Sequence, residues 1–192
     1  MEKNEITQSC HVLLIGGSAG SLEVLLKVFP KLSKDLLFPI VVVLHRKSGS
    51  DSSLSELFST RTSLIVKEIE DKQTLLPAHI YIAPADYHVL FENTRLLSID
   101  FSEKVNYSRP SIDVTFESAA EILGNHLVAL ILSGANADGA LGLKKVKQNG
   151  GLVAVQDPAT ADSAYMPLQA LLAVTPDAIL KTDEMAEFIN TL

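Results

Sequence analysis

The sequence predicts an α/β protein with a doubly wound, mostly parallel sheet, helices on both faces and an antiparallel hairpin insert. Three observations predict it. Short continuous apolar runs recur along the chain (VLLI, IVVVL, LVALIL, LVAVQ), as strands buried on both faces require. Segments with apolar residues at helical spacing lie between them. Near the middle, a group of short alternating segments interrupts that rhythm.

The elements run in order along the chain. Residues 12–15 read as a buried strand, closed by Gly16-Gly17-Ser18-Ala19-Gly20. Leu22, Leu25, Leu26 and Phe29 share one helical face, and Pro30 lies near that helix's end. Residues 40–44 form a second, β-branched strand. Residues 50–59 read as a short helix and 64–69 as an alternating strand. HIYIAP, YHVLFE and RLLSID, separated by Pro84-Ala85-Asp86 and Glu92-Asn93-Thr94, read as the antiparallel insert. A polar loop spans 102–110. Ser111 then caps a helix carrying Ile112, Phe116, Ala119, Ala120 and Leu123, with Gly124 as its stop. Residues 127–132 form a buried strand, 139–148 a helix closed by Asn149-Gly150-Gly151, and 152–156 another strand. A helix over 163–174 contains Pro167, which fits only near its start or at a kink. Thr182 caps a last helix, with Asp183 and Glu184 in its first turn.

The chain has 192 residues and no domain-scale linker or internal repeat, so residues 1–192 are expected to form a single domain. A net charge of -7 argues against general affinity for nucleic acid or an anionic membrane. The single cysteine, Cys10, excludes an internal disulfide and suits a cytoplasmic protein; its simplest role is that of a small apolar residue. No apolar run is long enough to insert in a membrane, and the polar start MEKNEITQS does not read as a signal peptide.

In an open parallel sheet, ligands bind beyond the carboxyl ends of the strands. The residues just past each buried strand are therefore the ones to weigh. After VLLI comes the turn holding Ser18; after IVVVL comes His45; after LVALIL comes Ser133-Gly134-Ala135-Asn136-Ala137-Asp138. A hydroxyl, an imidazole and a carboxylate share one edge. His11 and His126 precede their strands, and His79 and His88 belong to the insert, so His45 is the base candidate by position. A serine hydroxyl becomes nucleophilic when an imidazole accepts its proton, and a carboxylate fixes the imidazole's tautomer. Residues 16–20 fit G-x-S-x-G, a strand-to-helix elbow that exposes a serine. Taken alone, that motif reads equally as a glycine-rich turn with a capping serine, and Asp138 alone reads as the cap of the helix after it.

Competing sites lack their signatures. G-x-G-x-x-G and the Gly-Lys-Ser/Thr ending of a Walker A loop are absent, and no His/Cys/Asp cluster has ligand spacing, so neither a cofactor nor a metal is expected. The order Ser, His, Asp also differs from the Ser, Asp/Glu, His order of α/β-hydrolases.

LLIGGSAGS, VVVLHRK, HIYIAPADYHVLF, SRPSIDVTFESAAEILG, LILSGANADGALGL and GGLVAVQDPATADSAYMPLQA resemble, in register, motifs of the catalytic domain of CheB-type protein-glutamate methylesterases, the receptor demethylases of bacterial chemotaxis. The resemblance covers roughly residues 10–180 and implies a three-layer α/β/α, Rossmann-like fold. It implies Ser18 as nucleophile, His45 as general base and Asp138 as its orienting carboxylate, with the backbone amides of Ala19 and Ala135 at the oxyanion. It further implies hydrolysis of glutamate γ-methyl esters on methyl-accepting chemotaxis receptors, with deamidation of receptor glutamines as a second activity. Three stretches depart from the family pattern: Ser-Thr-Gly-Gly is here Ser18-Ala19-Gly20-Ser21, Gly-Met-Gly is here Gly134-Ala135-Asn136, and Leu44 and Arg46 replace the usual polar and apolar neighbours of the histidine. These departures keep a catalytically weakened signalling module, or an esterase for another substrate, as the alternative. About ten residues precede the first strand, so no receiver domain is expected in this chain.

Overall fold

The computed structural model describes residues 9–46 and 54–192. Its principal sheet has seven strands, all parallel: β1 (Val12–Gly17), β2 (Ile40–Leu44), β3 (Ile65–Glu68), β5 (His79–Ile82), β8 (Leu127–Ile131), β9 (Leu152–Gln156) and β10 (Ala178–Leu180). Their order is β10-β9-β8-β1-β2-β5-β3. The chain starts at the centre, winds outward through β2, then returns to the other side of β1 as β8. That reversal opens a crevice at the carboxyl ends of β1 and β8. A smaller antiparallel sheet joins β4 (Gln73–Thr74), β7 (Leu96–Asp100) and β6 (His88–Asn93).

Alternation along each buried strand divides the interior in two. Leu13, Ile15, Val42, Leu44, Leu130 and Ile80 face a cluster with Leu25 and Val28 of α1 (Ser21–Val28), Phe58 of α2 (Leu54–Ser59) and Ile189 of α6 (Met185–Asn190). Val12, Leu14, Val41, Val43, Ala129 and Val153 face the opposite cluster. It holds Phe116 of α3 (Ile112–Leu123), Val146 of α4 (Ala140–Gln148), Met166 of α5 (Tyr165–Ala173), and Val89 and Leu97 of the small sheet. The doubly wound, three-layer arrangement is the one expected. No helix among the described residues is long and apolar enough to cross a membrane.

Two expectations are corrected. HIYIAP is not part of the antiparallel insert: β5 lies inside the parallel sheet, paired with β2 and β3. Its Ile80, Tyr81 and Ile82 are buried as a sheet interior demands, and only β6 and β7, joined by the short β4, form the insert. Thr182 does not cap the last helix, which begins at Met185 with Glu184 at its N-cap; the Lys181 N–H donates to the Glu184 carboxylate at 2.9 Å instead. Neither β4 nor β10 is predicted by the sequence pattern. Residues 50–53 of the expected short helix lie outside the described residues; its remainder is α2.

Candidate active site

The serine turn is built by close packing. β1 runs through both glycines, and at each a side chain has no room. A Cβ on Gly16 would lie 2.6 Å from Ile112 Cγ2, and one on Gly17 would lie 2.6 Å from Ser21 Cβ. Gly20, at φ +82°, turns the chain into α1 in a conformation that disfavours other residues. Ser18 is fixed by its backbone: its N–H donates to the Ser133 carbonyl at 2.9 Å, and its carbonyl accepts from the Ser21 N–H at 3.1 Å and from the Ser21 hydroxyl. Ser133, fully buried, donates its hydroxyl to the Ala19 carbonyl at 2.7 Å, which ties the turn to the end of β8.

His45 begins where β2 ends. Its N–H donates to the Gly17 carbonyl at 3.1 Å, so Ser18 and His45 each stand one residue beyond the Gly17–Leu44 pairing. The His45 Nε2 lies 2.7 Å from Asp138 Oδ2. The hydroxyl of Ser18 makes no hydrogen bond to His45; the other ring nitrogen, Nδ1, lies 3.1 Å from Asn136 Nδ2. The neighbouring Arg46 pairs with Glu68 and donates to the Ala83 carbonyl at 3.3 Å, which anchors the end of β2.

Asp138 is buried and saturated. Oδ2 accepts from His45 and from the Ile112 N–H at 2.7 Å; Oδ1 accepts from the Ser111 hydroxyl at 2.9 Å and the Asp113 N–H at 3.0 Å. It thus occupies the N-terminus of α3, where backbone donors favour an anion. Burial pushes its carboxyl up, but the His45 hydrogen bond and the amides of Ile112 and Asp113 outweigh that and hold it below the ordinary value. Cap assignment by sequence adjacency therefore fails: Asp138 serves the preceding helix. The next helix, α4, is served by Asp113, whose Oδ1 accepts from Gly139 N–H at 2.9 Å and Gly142 N–H at 2.7 Å. Burial foremost, with the Asp138 charge adding, pushes the Asp113 carboxyl up to about 6.

The other histidines fall into place differently. His11 and His126 stack on each other with ring centroids 4.0 Å apart, at the amino ends of β1 and β8 as expected. His79 also lies at an amino end, because β5 is parallel. His88 is closer to the site than its place in the insert suggests. Its Nδ1 accepts from the Ser111 N–H at 3.1 Å and its Nε2 donates to the Glu103 carbonyl at 3.0 Å, so it is a buried neutral support for the cap. Ala19 and Ala135 are exposed at the same edge, and neither N–H donates to a partner among the described residues.

Two contributors, Asn136 and Asp113, escape sequence reasoning, and a third, Ser111, is read only in part. Asn136 stands out in the sequence only as a departure from a family pattern. Asp113 carries no motif, although an acidic residue in a first helical turn is a signal. Ser111 is legible as a cap, and it is one: its oxygen accepts from the Val114 N–H at 3.4 Å. Its second bond, to Asp138, has no local sequence signature. Among the described residues, no group of three or more His, Cys, Asp or Glu side chains could hold a metal ion.

A doubly wound sheet with a hydroxyl, an imidazole and a buried carboxylate along one edge has the layout of a serine-hydrolase class of α/β enzymes. Comparison with known proteins makes the class particular. The chain belongs to the CheB methylesterase family, whose family model matches residues 13–189. It is 42% identical over 182 residues to a Leptospira interrogans protein that carries the provisional name protein-glutamate methylesterase/protein-glutamine glutaminase. That match covers 95% of this chain and 94% of the relative. It is 35% identical over 182 residues to the Thermotoga maritima protein-glutamate methylesterase/protein-glutamine glutaminase, covering 93% of this chain and 53% of that longer relative. The crystal structure of the Thermotoga maritima CheB methylesterase catalytic domain superimposes with a TM-score of 0.89 at 34% identity, over 95% of this chain and 98% of that one. The fold and family implied by the sequence motifs are thereby shown.

Proposed function

We propose that the protein hydrolyses γ-methyl esters of glutamate side chains on methyl-accepting chemotaxis receptors, releasing methanol and a carboxylate, and that it also deamidates receptor glutamines. The family and the names of its relatives support the reaction class. The observation that carries the residue roles is the His45–Asp138 hydrogen bond at the same sheet edge as Ser18.

In this reading Ser18 Oγ attacks the ester carbonyl as its proton passes to His45 Nδ1. Asp138 holds the Nε2–H and stabilises the imidazolium. The oxyanion is met by the unengaged N–H groups of Ala19 and Ala135. His45 then protonates the departing methoxide, and water, activated by the same imidazole, hydrolyses the acyl-enzyme. Residues 1–192 act as one catalytic unit. The intact position of Asp138 under four donors disfavours the weakened-module alternative.

Methanol release from a methylated receptor cytoplasmic fragment, compared between the protein and its Ser18→Ala variant, tests this. Release lost on the order of 10⁴- to 10⁶-fold in the variant supports it. Equal release from both proteins, or none from either, overturns it.

A further inference from the structure

Both nitrogens of the candidate base are engaged. His45 Nε2 faces the Asp138 carboxylate, which can only accept, so Nε2 carries the proton and Nδ1 a lone pair. That lone pair faces Asn136 Nδ2 at 3.1 Å. The carboxamide is oriented by its other end, where Oδ1 accepts from the Asp138 N–H at 3.2 Å and thereby turns the NH2 toward the ring. The Asn136 amide thus donates to the atom that a serine hydroxyl must reach for activation.

We propose that Asn136 is a positioning residue that latches the base: its amide holds the His45 Nδ1 lone pair in the empty site, and an incoming acyl group displaces it before Ser18 can use the ring. The proposal rests on the triad reading above. When the Ser18 O–H bond breaks and Oγ bonds the acyl carbon, the carbonyl pair moves to the oxyanion and the proton moves to Nδ1. Two donors would then face each other across that nitrogen, so the Asn136 amide must leave on the way to the tetrahedral intermediate. Its position suits such a movement. Asn136 is half-buried between the exposed Ala135 and Ala137, outside the packed core. It lines a cleft of about 520 Å³ with Asp138, Leu141 and Leu172, and its partner His45 lines a second opening of about 540 Å³ with Lys104 and Tyr107. A substrate entering between the two openings meets the Asn136–His45 contact.

The test is the rate at which a fluorophosphonate labels Ser18 in the wild-type protein and in Asn136→Ala, with Asn136→Ser as a second variant should alanine unfold the loop. Labelling about threefold to tenfold faster in the variants is expected, the rate equivalent of one released neutral hydrogen bond. A merely structural role for the loop would slow labelling instead, because Asp138 would drift. ¹⁵N resonances of histidine-labelled protein supply a second readout: the His45 Nδ1 signal should shift in the variants, and the coupling to the Asn136 amide should vanish once Ser18 is phosphonylated. Equal or slower labelling overturns the latch alone. Labelling absent from all three proteins overturns the triad reading, and the latch with it.

Discussion

Asp113 and Asp138 exchange helices: Asp138, which precedes α4, accepts from the first amides of α3, while Asp113, inside the first turn of α3, accepts from Gly139 and Gly142 at the start of α4. Each carboxylate thereby binds the other's helix to the sheet edge. The two buried charges stand close enough for Asp138 to help raise Asp113.

Removing the acceptor at Asp138 should disable the ring. Asp138→Asn replaces one oxygen by a donor that opposes the donors now pointing at the carboxylate. Turnover should fall on the order of 10⁴-fold. Methanol release measures it, and a loss below about tenfold would remove Asp138 from the mechanism.

The exchange has a pH signature. The Asp113 carboxyl is raised from its ordinary 3.8 to about 6, so it contributes stability that is whole below about 3.8 and lost as pH rises through 6. Asp138, held low, contributes in the opposite sense: its share is present above its ordinary 3.8 and lost as pH falls through its lower folded value. Asp113→Asn keeps an oxygen for Gly139 and Gly142 but cannot ionise. The Tm of the variant relative to wild type should therefore rise between about pH 4 and 7. A difference independent of pH across that window would refute this account.

Ser111→Ala removes one donor to Asp138 and the cap of α3 in a single change. A loss of about 1 kcal/mol in denaturant stability is expected. Turnover should fall with KM unchanged, because Ser111 is buried and touches Asp138 rather than substrate. A KM effect of comparable size would contradict this.

Gly16→Ala places a methyl group 2.6 Å from Ile112 and 3.0 Å from Ile131. The expected cost is about 1–3 kcal/mol from overpacking. Because Ile112 opens the helix that holds Asp138, activity should fall as well. Urea denaturation with an unchanged midpoint would show that the strand and helix leave room for the methyl group.

The rule that ligands sit at strand carboxyl ends was sufficient to bring Ser18, His45 and Asp138 to one edge, because each comes after a fully buried apolar run whose end is sharp. HIYI is misplaced by its pattern for a physical reason. Four residues that alternate modestly are compatible with either sheet, and only the pairing of Ile80 with Ile40 and of His79 with Ile65 assigns it. The roles of Asn136 and His88 are illegible for a related reason: their partners, His45 and Ser111, lie 91 and 23 residues away. A side chain's long-range partner leaves no period in the chain. The same holds for caps, where adjacency points Asp138 to α4 and the fold assigns it to α3.

The parallel pairing of β1 with β8 bears on when the protein becomes reactive. Val12 is registered with Leu127, and His45 meets its carboxylate across 93 residues. A chain emerging from the ribosome carries Ser18 and His45 early, yet the ring meets Asp138 only once β8 has paired with β1. Such long-range closure is slow. On the proposed triad reading, a chain whose β8 has not paired with β1 lacks the His45–Asp138 contact, and its serine stands beside a base with no carboxylate to orient it.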